Sequence, residues 1–270
     1  MFLGDFLDGG HEGEVYDAIY MGSAGYCAKK VPENKLNTLE MSQQIYNLVN
    51  SKFLIPSYGI IYDNGFPCLV MKRAHGTLID FIEDPSYFGL QYEDLDLLLY
   101  QTALALKQFK DHNLYWGDLK LQNVLIDSDI PRAYICDFGS AKSLHNCVIE
   151  EGDVYTELYK APEVKKGAIV THQADVFSFG VMVYIAKVMA PPFTFSDDFP
   201  QYNNSETDLQ LREEASKYNL NTERDGFQFL DDDCQELLIN CLKVNPRERW
   251  TIEDVLESKF FSYFKQSQDN

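Results

Sequence analysis

Trp116-Gly117-Asp118-Leu119-Lys120-Leu121-Gln122-Asn123, followed fourteen residues after Asn123 by Asp137-Phe138-Gly139, is the stretch that decides the fold. It sets an acid, a lysine, an amide and a second acid in one order along the chain. The two motifs frame the apolar runs Val124-Leu125-Ile126 and Tyr134-Ile135-Cys136, which read as strands. Carboxylate and amide oxygens are hard donors suited to a cation such as Mg²⁺. Such groups, with a lysine to neutralise charge, are what phosphoryl transfer asks of a protein. Taken singly, any of them reads as a helix cap or a turn residue. The combined spacing between two strands is what makes the pattern specific.

Working outward, the stretch resembles the catalytic loop H-R-D-L-K-x-x-N and the D-F-G of eukaryotic-type protein kinases, with Trp116-Gly117 where His-Arg is usual. Downstream, Thr156-Glu157-Leu158-Tyr159-Lys160-Ala161-Pro162-Glu163 resembles the T-x-x-Y-x-A-P-E segment. Asp175-Val176-Phe177-Ser178-Phe179-Gly180 resembles D-x-W-S-x-G, whose aspartate anchors the catalytic-loop backbone in that family. Arg249 matches the arginine that pairs with the glutamate of A-P-E, here Glu163. Upstream, Asp8-Gly9-Gly10-His11-Glu12-Gly13-Glu14-Val15 resembles the glycine-rich loop over ATP, with Asp8 in the place of the first glycine. Glycines let strands bend tightly and bring N–H groups close to phosphates; a plain hairpin reads the same letters equally well. The resemblance runs from Leu7 to about Phe261.

The resemblance implies a set of roles. Asp118 is the base for the substrate hydroxyl, and Lys120 neutralises the transferred group. Asn123 and Asp137 hold Mg²⁺. The lysine that grips the ATP phosphates lies in Tyr26-Cys27-Ala28-Lys29-Lys30-Val31, where two registers fit: Lys29 with Cys27 two residues before it, or Lys30 with Ala28. Lys29 is preferred because Val31 then continues its face. Glu40, inside the next helical pattern, is expected to hold that lysine. Leu7, Gly10, Gly13, Val15 and Cys27 are expected around the nucleotide, Met71 at the gatekeeper position, and Lys72 and Ala74 in the segment bonding the adenine. Lys120 and Thr156 are choices typical of serine/threonine enzymes, so the implied activity is ATP- and Mg²⁺-dependent phosphorylation of Ser/Thr in proteins. A pseudokinase serving as a binding or scaffold module is the alternative.

The chain has 270 residues, long enough for a sizeable core. The first seventy or so residues read as strands, with one helical pattern from about Leu36 to Val49. After His75-Gly76 the pattern turns helical, including Val176 to Val188 and a last helix opened by Thr251-Ile252-Glu253-Asp254. Residues 196–233, acidic and polar, read as loops and short helices. The expected fold is α+β and bilobal: one catalytic domain, with residues 1–71 as a small antiparallel β-sheet lobe, 72–76 as a hinge and 77–270 as a larger helical lobe.

A net charge of −19 disfavours direct nucleic-acid binding, which needs clustered cations. It fits either a solvated acidic surface or attraction to a basic protein substrate. Met1-Phe2-Leu3-Gly4-Asp5 does not read as a signal peptide, and the Val176–Met189 run, broken by Lys187, is short for a membrane span. Six cysteines without a C-x-x-C pair read as isolated thiols of an intracellular protein, cytoplasmic or nuclear, expected to be a monomer. Gly117 cannot pair with a phosphate as arginine does, so activity independent of activation-segment phosphorylation is expected. Trp116 reads as a core residue, with its indole N–H as a donor to the D-F-G backbone as the alternative.

Overall fold

In the computed structural model, residues 1–10, 13–127, 130–145, 147–150, 153, 156–193, 220, 222–223 and 225–265 are described. The first elements in the chain are strands β1 (Phe2–Gly10), β2 (Gly13–Tyr20) and β3 (Ser23–Lys30), helix α1 (Leu36–Val49), and strands β4 (Ser57–Asp63) and β5 (Phe66–Lys72). Strand β6 (Gly76–Thr77), helices α2 (Leu78–Glu83) and α3 (Leu95–Asp111), and strands β7 (Leu114–Tyr115), β8 (Val124–Asp127), β9 (Arg132–Ile135) and β10 (Lys142–Ser143) follow. Helices α4 (Gln173–Val188), α5 (Asp225–Gln228), α6 (Asp232–Cys241), α7 (Ile252–Glu257) and α8 (Ser262–Lys265) complete the described set.

The chain divides into two compact units. One comprises residues 1–112 and 122–141; the other comprises 113–121 and 142–270. An antiparallel sheet and a helical portion are both present, as the α+β expectation requires.

The first unit is built on a five-stranded antiparallel sheet in the order β1-β2-β3-β5-β4. Directly opposed residues share a face, so the register sorts the side chains. Val15 opposes Lys29, Lys29 opposes Leu69, and Cys27 opposes Met71. Val15, Cys27, Lys29, Leu69 and Met71 therefore occupy one face, and Ala28, Lys30 and Lys72 the other. Helix α1 buries Leu39, Ser42, Ile45, Tyr46 and Val49 along one stripe, as its apolar spacing predicts. Removing such apolar side chains from water contributes about 1.5–3 kcal/mol each. The helix ends at Asn50, whose φ of 42° places it in the left-handed region that asparagine tolerates. Strand β1 runs into the Asp8-Gly9-Gly10 stretch that resembles a glycine-rich loop and that a hairpin reads equally well. Gly4, Asp5, Asp8 and Gly9 are poor strand formers, and the ladder to β2 overrides them.

In the second unit, α4 is buried on nearly all sides, from Ala174 to Ala186. A helix apolar all round belongs to a core, and no helix among the described residues is long and apolar enough to cross a membrane. Gly180 permits the close passage of the chain at the end of α6, because a Cβ there would meet Cys241 Cβ at 2.7 Å. Helix α7 opens with the expected cap: Thr251 Oγ1 accepts from Asp254 N at 3.2 Å, and Thr251 N donates to Asp254 Oδ2 at 2.8 Å. Of the stretch 196–233 read as loops and short helices, most lies outside the described residues; α5 and the start of α6 are helical.

Candidate active site

In the first unit, the β8–β9 hairpin presents two oxygen donors at neighbouring strand ends. Val124 opposes Ile135, and Cys136 N donates to Asn123 O at 3.0 Å. Asn123 is thereby held beside the strand end that leads into Asp137. Asp137 has a φ of 61°, a left-handed conformation costing roughly 1–2 kcal/mol in a non-glycine residue. Phe138 anchors it: its ring is wholly buried, 5.0 Å from Tyr46 and 5.2 Å from Phe109 between centroids.

Lys29 Nζ lies 2.7 Å from Asp137 Oδ2. Lys30 instead pairs with Asp63 at 3.1 Å and stands over the Phe66 ring. Of the two registers left open, the geometry therefore brings Lys29 to Asp137. It does not bring Glu40 there: Glu40 is exposed and forms no ion pair among the described residues. The expected Lys29–Glu40 pairing is not formed. A residue advances 100° around a helix, so Glu40 sits far from the stripe that carries Ser42 and Tyr46.

Gly10 opposes Gly13 at the end of the β1–β2 hairpin. Gly13 has a φ of 145°, and a Cβ on it would meet Lys30 O at 2.6 Å, so this position requires glycine. His11 and Glu12, between them, lie outside the described residues. Leu7 is exposed on β1 and Val15 half-buried on β2. Cys27 Sγ donates to Lys72 O at 3.5 Å, and burial pushes its thiol up to about 12. Met71 is buried. Lys72 is tied by its side chain to Asp127 and its backbone N–H donates to Pro56 O. Arg73 N and His75 N donate to Gly25 O and Ile126 O, whereas Ala74 N–H, between them, donates to no group among the described residues.

In the second unit, Asp118, Lys120 and Thr156 close a triangle. Thr156 Oγ1 donates to Asp118 Oδ1 at 2.7 Å, Lys120 Nζ donates to Thr156 Oγ1 at 3.1 Å, and Lys120 Nζ lies 2.8 Å from Asp118 Oδ2. The loop bearing Asp118 hangs from Asp175, which accepts from Trp116 N at 2.9 Å and Gly117 N at 3.0 Å. Burial drives the Asp175 carboxyl up to about 7 against the opposing pull of those two N–H groups. Gly117 has a φ of 85°, and Trp116 is wholly buried. Arg249, its guanidinium buried, meets Glu163 at 2.7 and 3.0 Å and donates to the carbonyls of Lys243, Gln173 and Val244. Ser178 Oγ donates to Tyr159 O at 2.7 Å, tying α4 to the same segment.

The segment from Lys142 is fastened by backbone pairing. Lys142 and Ser143 pair with Tyr115 and Leu114, Leu144 N donates to Asn113 O, and Ile149 N donates to Ala168 O. Asp153 takes both Lys142 Nζ and the Glu150 backbone N–H. Glu151 and Tyr155 lie outside the described residues. Thr156 carries no site role in its motif, Asp153 reads only as one acid of an acidic segment, and Tyr46 and Lys142 give no local signal.

The donor chemistry fits Mg²⁺. Asn123 and Asp137 supply two oxygens, and among the described residues no group of three His, Cys, Asp or Glu side chains forms a stronger metal cage. Magnesium is commonly held by one or two carboxylates together with substrate phosphates.

A family model described as protein kinase domain matches residues 4–261. The chain is 25% identical over 267 residues to Serine/threonine-protein kinase D3 of Mus musculus, covering 95% of this chain and 28% of that protein. It is 27% identical over 269 residues to Calcium-dependent protein kinase 5 of Plasmodium falciparum, covering 97% of this chain and 45% of that protein. A shorter match, 38% identical over 148 residues, joins 53% of this chain to 38% of Serine/threonine-protein kinase SRK2B of Arabidopsis thaliana. The chain thus spans less than half the length of each of these relatives.

Proposed function

The chain belongs to the protein kinase domain family, and from that premise we propose that it transfers the γ-phosphoryl group of ATP to serine and threonine hydroxyls of proteins. The observation that carries this reading is the Asp118–Thr156–Lys120 triangle. A hydroxyl donating to Asp118 Oδ1 at 2.7 Å has the geometry that a general base needs toward an acceptor hydroxyl. Asp118 accepts the proton of the substrate hydroxyl, and Lys120 offsets negative charge on the group in transfer.

Lys29 holds ATP phosphates. Val15, Cys27 and Met71, on the face of Lys29, take the base and ribose side, with Leu7 and the Gly10–Gly13 turn. The Ala74 N–H is the adenine donor beside the Lys72 carbonyl. Asn123 and Asp137 would hold Mg²⁺, which supplies charge neutralisation at the phosphates when bound. The division into lobes at residues 72–76 belongs to this reading, as does an intracellular monomer.

Two finer features follow. Gly117 offers no cation to a phosphate, and Asp153 already engages Lys142 and a backbone N–H, so the segment is held without phosphorylation. An acidic depression of about 410 Å³ lined by His75, Asp80, Glu83, Asp84 and Tyr87 supports a preference for Arg- or Lys-bearing substrates. The second reading, a binding or scaffold module without turnover, is favoured by one observation: α1 brings no acid to Lys29. Incubation with ATP, Mg²⁺ and a degenerate Ser/Thr peptide library decides between them. Phosphate on peptides rich in Arg or Lys, absent with Asp118→Asn, is the expected result. No incorporation above that of the Asp118→Asn variant would overturn the catalytic reading.

A further inference from the structure

Helix α1 reaches the Lys29–Asp137 pair through a phenol. Its buried stripe carries Leu39, Ser42, Ile45, Tyr46 and Val49. Ser42 and Tyr46, four residues apart, lie one above the other on that stripe. Ser42 is spent within its own helix, its hydroxyl donating to Thr38 O at 3.0 Å. Glu40, two residues before Ser42, is turned by about 200° from it on an ideal helix and is exposed. Tyr46 alone of these projects polar chemistry inward. Its hydroxyl donates to Met71 Sδ at 3.7 Å, and its ring meets Phe138 edge-on at 5.0 Å. The same hydroxyl takes a backbone hydrogen bond from Asp137.

Asp137 needs such support. Its φ of 61° is strained for a residue with a side chain, and strained positions persist where their surroundings over-determine them. Lys29 fixes the carboxylate, the buried Phe138 ring fixes the residue after it, and the Tyr46 hydroxyl engages the N–H of the Cys136–Asp137 peptide before it. The same hydroxyl bridges the helix to Met71 on β5, so three separate segments of the first unit meet at one oxygen.

We propose that Tyr46 is the positioning residue through which α1 sets Asp137 for its metal, in the place where a helix acid would otherwise hold Lys29. The proposal rests on the reading of Lys29 and Asp137 as the nucleotide- and metal-handling pair. It assigns Glu40 no part, and it locates the link between helix and site at a hydroxyl, whose removal leaves the ring packing intact.

The test compares the full chain with Tyr46→Phe, Tyr46→Leu and Glu40→Ala. Melting is recorded for each with ATP alone, with Mg²⁺ alone and with both, so that the Mg²⁺-dependent part of the ATP stabilisation is read without turnover. Apparent Mg²⁺ affinity is taken from the titration at saturating ATP, and kcat and the KM for ATP from peptide phosphorylation. Tyr46→Phe is expected to weaken apparent Mg²⁺ affinity by about tenfold, the loss of one or two hydrogen bonds, with KM for ATP changed less than about threefold. Tyr46→Leu should do the same if Tyr46→Phe fails to fold, and Glu40→Ala should match the wild type. A wild-type Mg²⁺ increment kept in full by folded Tyr46→Phe or Tyr46→Leu overturns the proposal alone, as does an equal loss in Glu40→Ala. No Mg²⁺-dependent ATP shift in the wild type overturns the underlying reading as well.

Discussion

The Thr156 hydroxyl donates to Asp118 Oδ1 across 2.7 Å, while Lys120 Nζ stands 3.1 Å from the same hydroxyl. Thr156 therefore orients the carboxylate proposed as base and separates its two oxygens by role, one facing a hydroxyl and the other a lysine. Thr156→Val, which keeps the shape and deletes the hydroxyl, should lower kcat by roughly tenfold, the equivalent of about 1.4 kcal/mol of transition-state stabilisation. Thr156→Ser should recover most of it. Steady-state rates at saturating ATP and peptide check both variants, and an unchanged kcat in Thr156→Val would remove Thr156 from the site.

Arg249 and Glu163 make a fixed joint. The guanidinium is buried, paired twice with the carboxylate, and hydrogen-bonded to three carbonyls. Removing one partner leaves an uncompensated charge or orphaned carbonyls, a loss of about 3–5 kcal/mol. Arg249→Met should lower the denaturant midpoint accordingly, and Glu163→Gln by less because the partly exposed end can rehydrate. Urea unfolding with an unchanged slope measures it.

Asp175 titrates near 7 in the folded chain, above its unfolded value of about 4. The sign follows from where the proton sits. Between these values the folded state holds a proton that the unfolded state has released, so the Asp175 contribution to stability is complete below about 4 and is lost as pH rises through 7. Unfolding at pH 5 and pH 8 should show this decline in the wild type, and Asp175→Asn should flatten it. Equal slopes in both chains would place the carboxyl elsewhere in its titration.

Gly117 fits its backbone as well as removing a cation. With a φ of 85°, the position strains any side chain by roughly 1–2 kcal/mol. Gly117→Arg should therefore lower stability without raising activity, and phosphatase treatment of the wild type should leave its rate within about twofold, since Asp153 rather than a phosphate engages Lys142. A large loss of rate on dephosphorylation would contradict the proposed phosphate independence.

The parts legible in the sequence were those whose signal is local. Helix α1 was visible from the spacing of Leu39, Ile45 and Leu48, although Leu48 itself is exposed and the buried stripe runs through Ser42 and Tyr46 instead. Glu40 looked like the partner of Lys29 because it is the acid inside that helical pattern. The sequence shows an acid inside the helix but not which way the helix is turned. The hairpin carrying Asn123 and Asp137 was readable because both flanking runs are apolar, and Trp116 was readable as a core residue. Lys142 with Asp153, Tyr46 with Met71 and Thr156 with Asp118 were not, because each joins segments far apart in the chain or depends on a rotamer.

The central claim is that Asp118 serves as base for phosphate transfer, and the rate of radiolabelled phosphate transfer from Mg²⁺-ATP to a basic Ser/Thr protein, wild type against Asp118→Asn, tests it most directly. Measurable wild-type transfer is expected, falling by about a hundredfold to ten-thousandfold in Asp118→Asn, the range of general acid–base contributions, with both chains melting alike. Equal rates in the two chains, or no transfer by the wild type, would contradict it.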